Sequence, residues 1–191
     1  MNLLGHLYFS FGDRELMYAN LFGDSVKGRH FNKFPPKLSE GILLHRRLDH
    51  FIDSHESTVR LKRQLYDQLP KVAPIAIDLF YDHLLAKDWN HYSKISYYDF
   101  LEQFYSYSPQ SWEYYPEDFK RFIQQLRIHK WMDNYPTTFG LRRLSEGVSS
   151  RLSFKNNLKN APTVFLEKES LITTAFQEFM TAASKEFLHS V

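Results

Sequence analysis

Apolar residues recur three and four positions apart along most of this 191-residue chain, and this helical spacing limits its fold more than any other feature. Alternating apolar and polar runs joined by Asn-Gly or Asp-Gly turns, which indicate strands and hairpins, are not found. No linker rich in glycine, serine or proline divides the chain. The sequence therefore predicts an all-α fold, with residues 1–191 forming a single-domain helical bundle of about eight or nine helices.

Capping residues, glycine and proline predict where many of these helices begin or end. Asp13 and Ser57 are expected N-caps, Ser96 with Asp99 resembles a capping box, and Gly28 follows the end of a helix. Prolines are expected in first turns. The predicted helices run over residues 2–11, 14–27, 38–53, 57–69, 75–89, 96–107, 116–132, 136–148 and 162–188.

Composition and charge exclude several classes of protein. The hydrophobic fraction of 43% and the charged fraction of 24% are those of a globular chain and not of a disordered one. With 24 basic and 22 acidic side chains, the net charge of +2 does not indicate nucleic-acid or membrane binding. The absence of cysteine excludes disulfides and thiolate metal ligands. Because no apolar run is long enough to span a membrane, we expect a cytoplasmic protein.

Three predicted helices carry polar side chains four residues apart on otherwise apolar faces. The pairs are Asn20 with Asp24, His45 with Asp49, and Asp78 with Asp82. Because residues four apart share a helix face, each helix can direct two donor groups toward one point. A buried group of carboxylates and imidazoles repels itself unless a cation neutralises it. The set therefore indicates a divalent metal or an acid–base site, and its donors suit Mn²⁺, Fe²⁺ or Zn²⁺ better than Ca²⁺.

Each of these residues also has an ordinary structural interpretation. His45 can be a core histidine with satisfied hydrogen bonds, Asp49 can pair with a neighbouring arginine, and Asp82 can pair with Lys87. For any one residue the structural interpretation is favoured, whereas the three helices together favour a metal or acid–base site. Dinucleotide-binding, phosphate-loop, zinc-protease and serine-hydrolase signatures are not found.

Four segments within the first 91 residues carry a family resemblance. They are MNLLGHL at 1–7, NLFGDSVKG at 20–28, GILLHRRLDHFID at 41–53 and DLFYDHLLAKDW at 78–89. In order and spacing they resemble the acyl carrier protein phosphodiesterase family, also called ACP hydrolase. The resemblance implies an all-α, HD-phosphohydrolase-like enzyme that hydrolyses the phosphodiester between 4′-phosphopantetheine and a serine of holo-acyl carrier protein. It also implies dependence on Mn²⁺ and the release of apo-acyl carrier protein.

The resemblance and the chemistry of phosphodiester hydrolysis together suggest roles for individual residues. The contiguous His-Asp pair of HD-type enzymes is absent, so their ligand roles cannot be transferred in register. The expected metal ligands are Asp24, His45, Asp78 and Asp82, with His6 as a further candidate. Asp49 is expected to act as the general base or as the partner that orients His45. Arg46 and Arg60 are expected to contact the phosphate. His83 is expected to be the acid that protonates the leaving serine oxygen.

Two other functions stay open on the sequence alone. The first is a metal-dependent phosphohydrolase that acts on small nucleotides or phosphodiesters, which shares the metal group but needs no surface for a carrier protein. The second is a non-enzymatic helical binding module in which the buried polar residues only fix the register of the helices. Because acyl carrier proteins are acidic, hydrolysis of holo-acyl carrier protein predicts a local basic docking surface, which the small-substrate phosphohydrolase does not need. The binding module predicts no tightly bound divalent ion.

Overall fold

The described part of the chain, residues 1–188 of a computed structural model, consists of helices and turns and contains no strand. The α-helices are α1 (Leu3–Tyr8), α2 (Arg14–Phe22), α3 (Pro36–Ser54), α4 (Glu56–Leu65), α5 (Ala73–Lys87), α6 (Trp89–Tyr92), α7 (Tyr97–Tyr105), α8 (Glu117–His129), α9 (Thr138–Arg151), α10 (Ala161–Glu167) and α11 (Glu169–Ala183). The predicted all-α class is confirmed. None of the helices within residues 1–188 is both long enough and apolar enough to cross a membrane.

Local sequence signals fix several helix ends. The Asp13 carboxylate accepts the Leu16 amide at the start of α2, and the Ser96 hydroxyl accepts the Asp99 amide at the start of α7. The prediction that Ser57 caps α4 is wrong, because the helix begins at Glu56 with His55 at its N-cap, and the Ser57 hydroxyl donates to the carbonyl of Ala175 on α11. A side chain that could cap its own helix is thus used to join two helices.

Two predicted helices are shorter than expected. The helix predicted over residues 14–27 ends at Phe22 and continues only as a 3₁₀ turn, Gly23–Ser25. The helix predicted over residues 162–188 is interrupted at Lys168, which separates α10 from α11. The spacing of apolar residues alone does not locate either boundary.

Helices α2 and α3 approach each other closely at Gly41. A Cβ atom added to Gly41 would lie 2.3 Å from Ala19 Cβ and 2.8 Å from the backbone nitrogen of Asn20. Only a glycine permits this approach without displacing backbone. The close contact places Asn20, whose side chain hydrogen-bonds His6, directly beside α3.

A buried carboxylate of α5 holds the start of α1. Asp82, which is fully buried, accepts the backbone amides of Leu4 at 2.8 Å and Gly5 at 3.0 Å. These amides belong to the first turn of α1, where helix geometry leaves them without intrahelical partners. Asn2, the residue at the N-cap of α1, makes no side-chain capping bond. Asp82 therefore fixes α1 against α5 and so fixes the position of His6.

Glu15 on α2 anchors the chain that leads from α7 to α8. Its carboxylate accepts the backbone amides of Gln110 and Ser111, both at 2.9 Å, the hydroxyl of Ser111, and the Tyr107 hydroxyl at 3.0 Å. Burial opposes ionisation, but these hydrogen bonds lower the pKa of Glu15 below its ordinary value. The segment after α7 is consequently tied to the start of α2.

We expect Glu15→Gln to lower the free energy of unfolding at pH 7 by about 1–3 kcal/mol, because the amide group of glutamine cannot accept all of these hydrogen bonds. A carboxyl group with a lowered folded pKa stabilises the fold above its unfolded pKa, and this contribution is lost as the pH falls through the folded pKa. The difference in the free energy of unfolding between the wild type and Glu15→Gln, measured by urea unfolding, should therefore be smaller below pH 4.5 than at pH 7. The exposed Glu113→Gln serves as control, and an equal effect of both variants would contradict the prediction.

Candidate metal centre and active-site cleft

Three polar side chains from α1 and α3 converge at one point. His6 Nε2 lies 3.3 Å from Asp49 Oδ1, and His45 Nε2 lies 3.1 Å from Asp49 Oδ2. The two buried imidazole rings stack with their centroids 4.2 Å apart, whereas the Asp49 side chain is 46% exposed. One donor atom of each residue lies within 4.8 Å of the others, so the group can hold a metal ion.

Asn20 fixes which nitrogen of His6 carries a proton. Its Nδ2 donates to the His6 carbonyl at 2.8 Å and to Ser10 Oγ at 3.1 Å, so its Oδ1 must accept from His6 Nδ1, 2.9 Å away. In neutral His6 the lone pair of Nε2 consequently faces Asp49. A lone pair and a carboxylate oxygen repel each other unless a cation or a proton lies between them. An outer hydrogen bond of this kind is typical of histidine that binds metal.

The protonation equilibria of the group favour a bound cation. Burial lowers the pKa of His6, and although the contact with Asp49 raises it, the pKa stays below its ordinary value. Burial would raise the pKa of Asp49, but hydrogen bonds to His45 and His6 lower it well below its usual range. His45 Nδ1 is buried and has no hydrogen-bond partner. Two imidazoles and one ionised carboxylate fit a divalent ion such as Mn²⁺, Fe²⁺ or Zn²⁺.

The group lies in the wall of a cleft of about 580 Å³ that is bordered by α1, α3, α5, α8, α9 and the turn after α2. Besides Asp49, four carboxylates line this cleft: Asp24, Asp53, Asp78 and Asp118. Its apolar lining includes Leu21, Ile52, Ile75, Phe119, Phe122 and Val148. A cleft that combines an apolar lining with a few convergent polar groups is the arrangement expected of an active site.

A second cleft, of about 920 Å³, lies beside Trp89 and His91 and is bordered by α5, α6 and α11. Although it is larger, it holds no group of three converging metal-binding side chains among the described residues. We therefore assign the chemistry to the smaller cleft, since the position of the donor atoms and not the volume decides where a cation can bind.

The residues predicted as metal ligands fall into two groups. His6 and His45 belong to the converging group, and Asp24 and Asp78 line the same cleft. Asp78 Oδ1 accepts the α-amino group of Met1 at 2.9 Å. Asp82 does not line the cleft, because both of its oxygens accept backbone amides of α1. Asp49, predicted as base or orienting partner, contacts both histidines.

The other three predicted catalytic residues lie outside the cleft lining and have partners elsewhere. His83 Nδ1 lies 2.6 Å from the carbonyl oxygen of Tyr135, and burial lowers the pKa of this imidazole. Arg46 donates to the Val26 carbonyl at 2.6 Å, and Arg60 pairs with Glu178 and Glu56. The structure thus does not bring His83, Arg46 or Arg60 to the converging group.

Two charged residues of the cleft have no signal in the local sequence. Asp118 lies in the first turn of α8, and Arg151 is the last residue of α9. Both lie beyond the first 91 residues, which carry the family resemblance, and only the fold brings α8 and α9 to the cleft. The sequence shows Asn20 four residues before Asp24, but the contact of Asn20 with His6 depends on the approach of α1 to α2.

Gly23 gives His45 the space that it occupies. A Cβ atom on Gly23 would lie 2.4 Å from His45 Cβ and 2.6 Å from its Cγ. We expect Gly23→Ala to displace the imidazole and weaken Mn²⁺ binding by about 10- to 100-fold, as changes beside metal ligands do. Calorimetric titration with Mn²⁺ measures the effect, and thermal unfolding verifies that the variant is folded. Unchanged Mn²⁺ affinity in the folded variant would show that this group does not bind the ion.

By its fold and its site, the chain is an all-α protein with an imidazole–carboxylate group in a cleft. The sequence model of the family described as "Acyl carrier protein phosphodiesterase" matches residues 1–183, and the chain belongs to this family. The chain is thus a member of a family of hydrolases, and the resemblance found in its sequence is confirmed.

Individual relatives agree with the family match. Proteins named acyl carrier protein phosphodiesterase from Salmonella dublin and Klebsiella pneumoniae are both 29% identical to the chain over 156 residues. Each alignment covers 79% of this chain and 79% of the relative. No solved structure matches the chain.

Proposed function

We propose that the protein hydrolyses the phosphodiester that links 4′-phosphopantetheine to a serine of holo-acyl carrier protein, with Mn²⁺ as the expected divalent ion. The products would be apo-acyl carrier protein and 4′-phosphopantetheine. The observation that carries this proposal is the convergence of His6, His45 and Asp49 in a cleft of a chain whose family is named for this activity. Holo-acyl carrier protein is accordingly the proposed protein substrate.

His6, His45 and Asp49 would hold the ion, and Asp24 and Asp78 on the cleft wall are further candidate ligands. A divalent ion in this position would supply neutralisation of the phosphate charge and a water of lowered pKa. Asn20 would keep the lone pair of His6 Nε2 directed at the ion by holding the proton on Nδ1. The two oxygens of Asp49 face the two imidazoles, which favours a ligand role over that of a free base.

We assign to Asp53 the role of the general base, which accepts a proton from the attacking water. It lines the cleft, and burial raises its pKa, as do the negative charges of Asp78 and Asp49. A carboxylate with a raised pKa is the better general base near neutral pH. His83, Arg46 and Arg60 are held by other partners outside the cleft lining, and we assign them no step.

Hydrolysis of small phosphodiesters is a second candidate function. The cleft of about 580 Å³ is large enough for a small diester, which needs no carrier-protein surface. The two candidates differ in whether the protein part of the substrate is required.

The mass of the carrier protein separates these candidates. Purified protein is incubated with holo-acyl carrier protein and Mn²⁺, and the intact carrier is weighed by mass spectrometry with and without a chelator. We expect loss of the prosthetic-group mass in the presence of Mn²⁺ and none with the chelator. An unchanged carrier together with hydrolysis of a small diester would favour the second candidate. An unchanged carrier and no hydrolysis of either substrate would contradict both.

A further inference from the structure

The described lining of the cleft contains one arginine, Arg151. Arg151 ends α9, is exposed and lines the same cleft as the His6–His45–Asp49 group. Its guanidinium makes no ion pair or hydrogen bond with any described residue. By contrast, Arg46 and Arg60, the arginines first expected at the phosphate, already have carbonyl or carboxylate partners.

The position of Arg151 along α9 leaves its guanidinium accessible. Gly147 lies one helical turn earlier, and a Cβ atom there would be 3.9 Å from Arg151 Nη2. The guanidinium therefore lies over Gly147, which has no side chain, and the next residue, Val148, also lines the cleft.

The negative charge of the cleft favours a further cation, beside the divalent ion, for the binding of an anionic substrate. Five carboxylates line it: Asp24, Asp49, Asp53, Asp78 and Asp118. A phosphodiester carries a negative charge, and these carboxylates repel it unless positive charge compensates. A guanidinium matches the oxygens of a phosphate with two parallel N–H donors, which gives both affinity and orientation.

We propose that Arg151 is a substrate-binding residue that holds the phosphodiester anion in the cleft through its guanidinium. This inference rests on the proposed function and assigns to Arg151 the phosphate contact of that reaction. The alternative is a purely structural role, because a cation in the last turn of a helix stabilises the helix dipole. That role would affect the stability of the fold and not the binding of an anion.

The test compares Arg151→Gln, Arg151→Lys and the control Arg121→Gln, which replaces an exposed arginine of α8 that does not line the cleft. The substrates are holo-acyl carrier protein and bis(p-nitrophenyl) phosphate, with Mn²⁺ present and inorganic phosphate as competitor. We expect Arg151→Gln to raise KM for both substrates, and the inhibition constant of phosphate, by about 10- to 100-fold, the size of a charged hydrogen-bond pair. Arg151→Lys should recover part of the loss, and Mn²⁺ affinity should stay unchanged.

The inference would be overturned if Arg151→Gln had the same KM and the same phosphate inhibition constant as the wild type and Arg121→Gln. It would also be overturned if a lowered melting temperature were the sole effect of the substitution. Failure of the proposed function is distinguishable, because the wild type would then leave holo-acyl carrier protein unchanged, whether or not it hydrolyses bis(p-nitrophenyl) phosphate. In that case calorimetric binding of inorganic phosphate to the Mn²⁺-loaded protein still tests Arg151. Equal phosphate affinity of wild type and Arg151→Gln would contradict its role, and weaker binding by the variant would support it.

Discussion

Asp49→Asn is expected to lower both Mn²⁺ affinity and the rate of hydrolysis of holo-acyl carrier protein by about 100-fold or more. The asparagine keeps the size of the side chain but removes its negative charge, and its NH₂ group would face one of the two histidine nitrogens. Because the Asp49 side chain is 46% exposed, the substitution should leave the fold intact. The loss should therefore come from the site itself.

Calorimetry with Mn²⁺ and the carrier mass assay measure the two effects of Asp49→Asn separately. The matched control is Asp67→Asn, which removes an exposed carboxylate outside the cleft and should change neither quantity. If Asp49→Asn binds Mn²⁺ and hydrolyses the carrier as the wild type does, the ion is held elsewhere and the proposed ligand set is wrong.

Asp82→Ala is expected to lower the free energy of unfolding by about 2–4 kcal/mol near pH 5, because it leaves two buried backbone amides of α1 without acceptors and creates a void. The hydrogen bonds concerned are those from Leu4 at 2.8 Å and Gly5 at 3.0 Å. Urea unfolding measures the change. The exposed Asp67→Ala should stay within about 0.5 kcal/mol of the wild type.

The pH dependence of this variant gives a second readout. Burial raises the pKa of Asp82 to about 7, although the α-amino group and the two amides of α1 lower it. This folded pKa lies above the unfolded value of 3.8, so the folded state binds the proton more tightly than the unfolded state does. The stability that Asp82 contributes therefore declines as the pH rises from 4 toward 7. The difference between wild type and Asp82→Ala should thus be larger at pH 5 than at pH 8. A difference that grows with pH would contradict this assignment.

The fold class and one half of the site follow from local patterns in the sequence. Asp13 and Ser96 cap helices because their side chains reach amides only three residues away. His45 and Asp49 meet because they lie four residues apart on α3, so helix geometry alone brings them together. Signals of this kind involve a single helix and are therefore visible in the sequence.

The remaining features depend on contacts between helices distant in sequence. Asp82 has the spacing of a ligand beside Asp78, but the free amides of α1, 78 and 77 residues away, occupy its oxygens. Arg46 stands beside His45 in the sequence, yet the carbonyl of Val26 binds its guanidinium. Arg151 reaches the cleft through the packing of α9. Helical spacing describes which residues share a face but not which backbone groups that face will meet.

The most direct test of the proposed centre is the position of Mn²⁺ in crystals of the protein, determined from anomalous diffraction. We predict one strong peak within about 2.0–2.4 Å of imidazole nitrogens of His6 and His45 and of a carboxylate oxygen of Asp49. A Mn²⁺-dependent enzyme whose peak lies away from these three side chains would contradict the assignment of the metal centre.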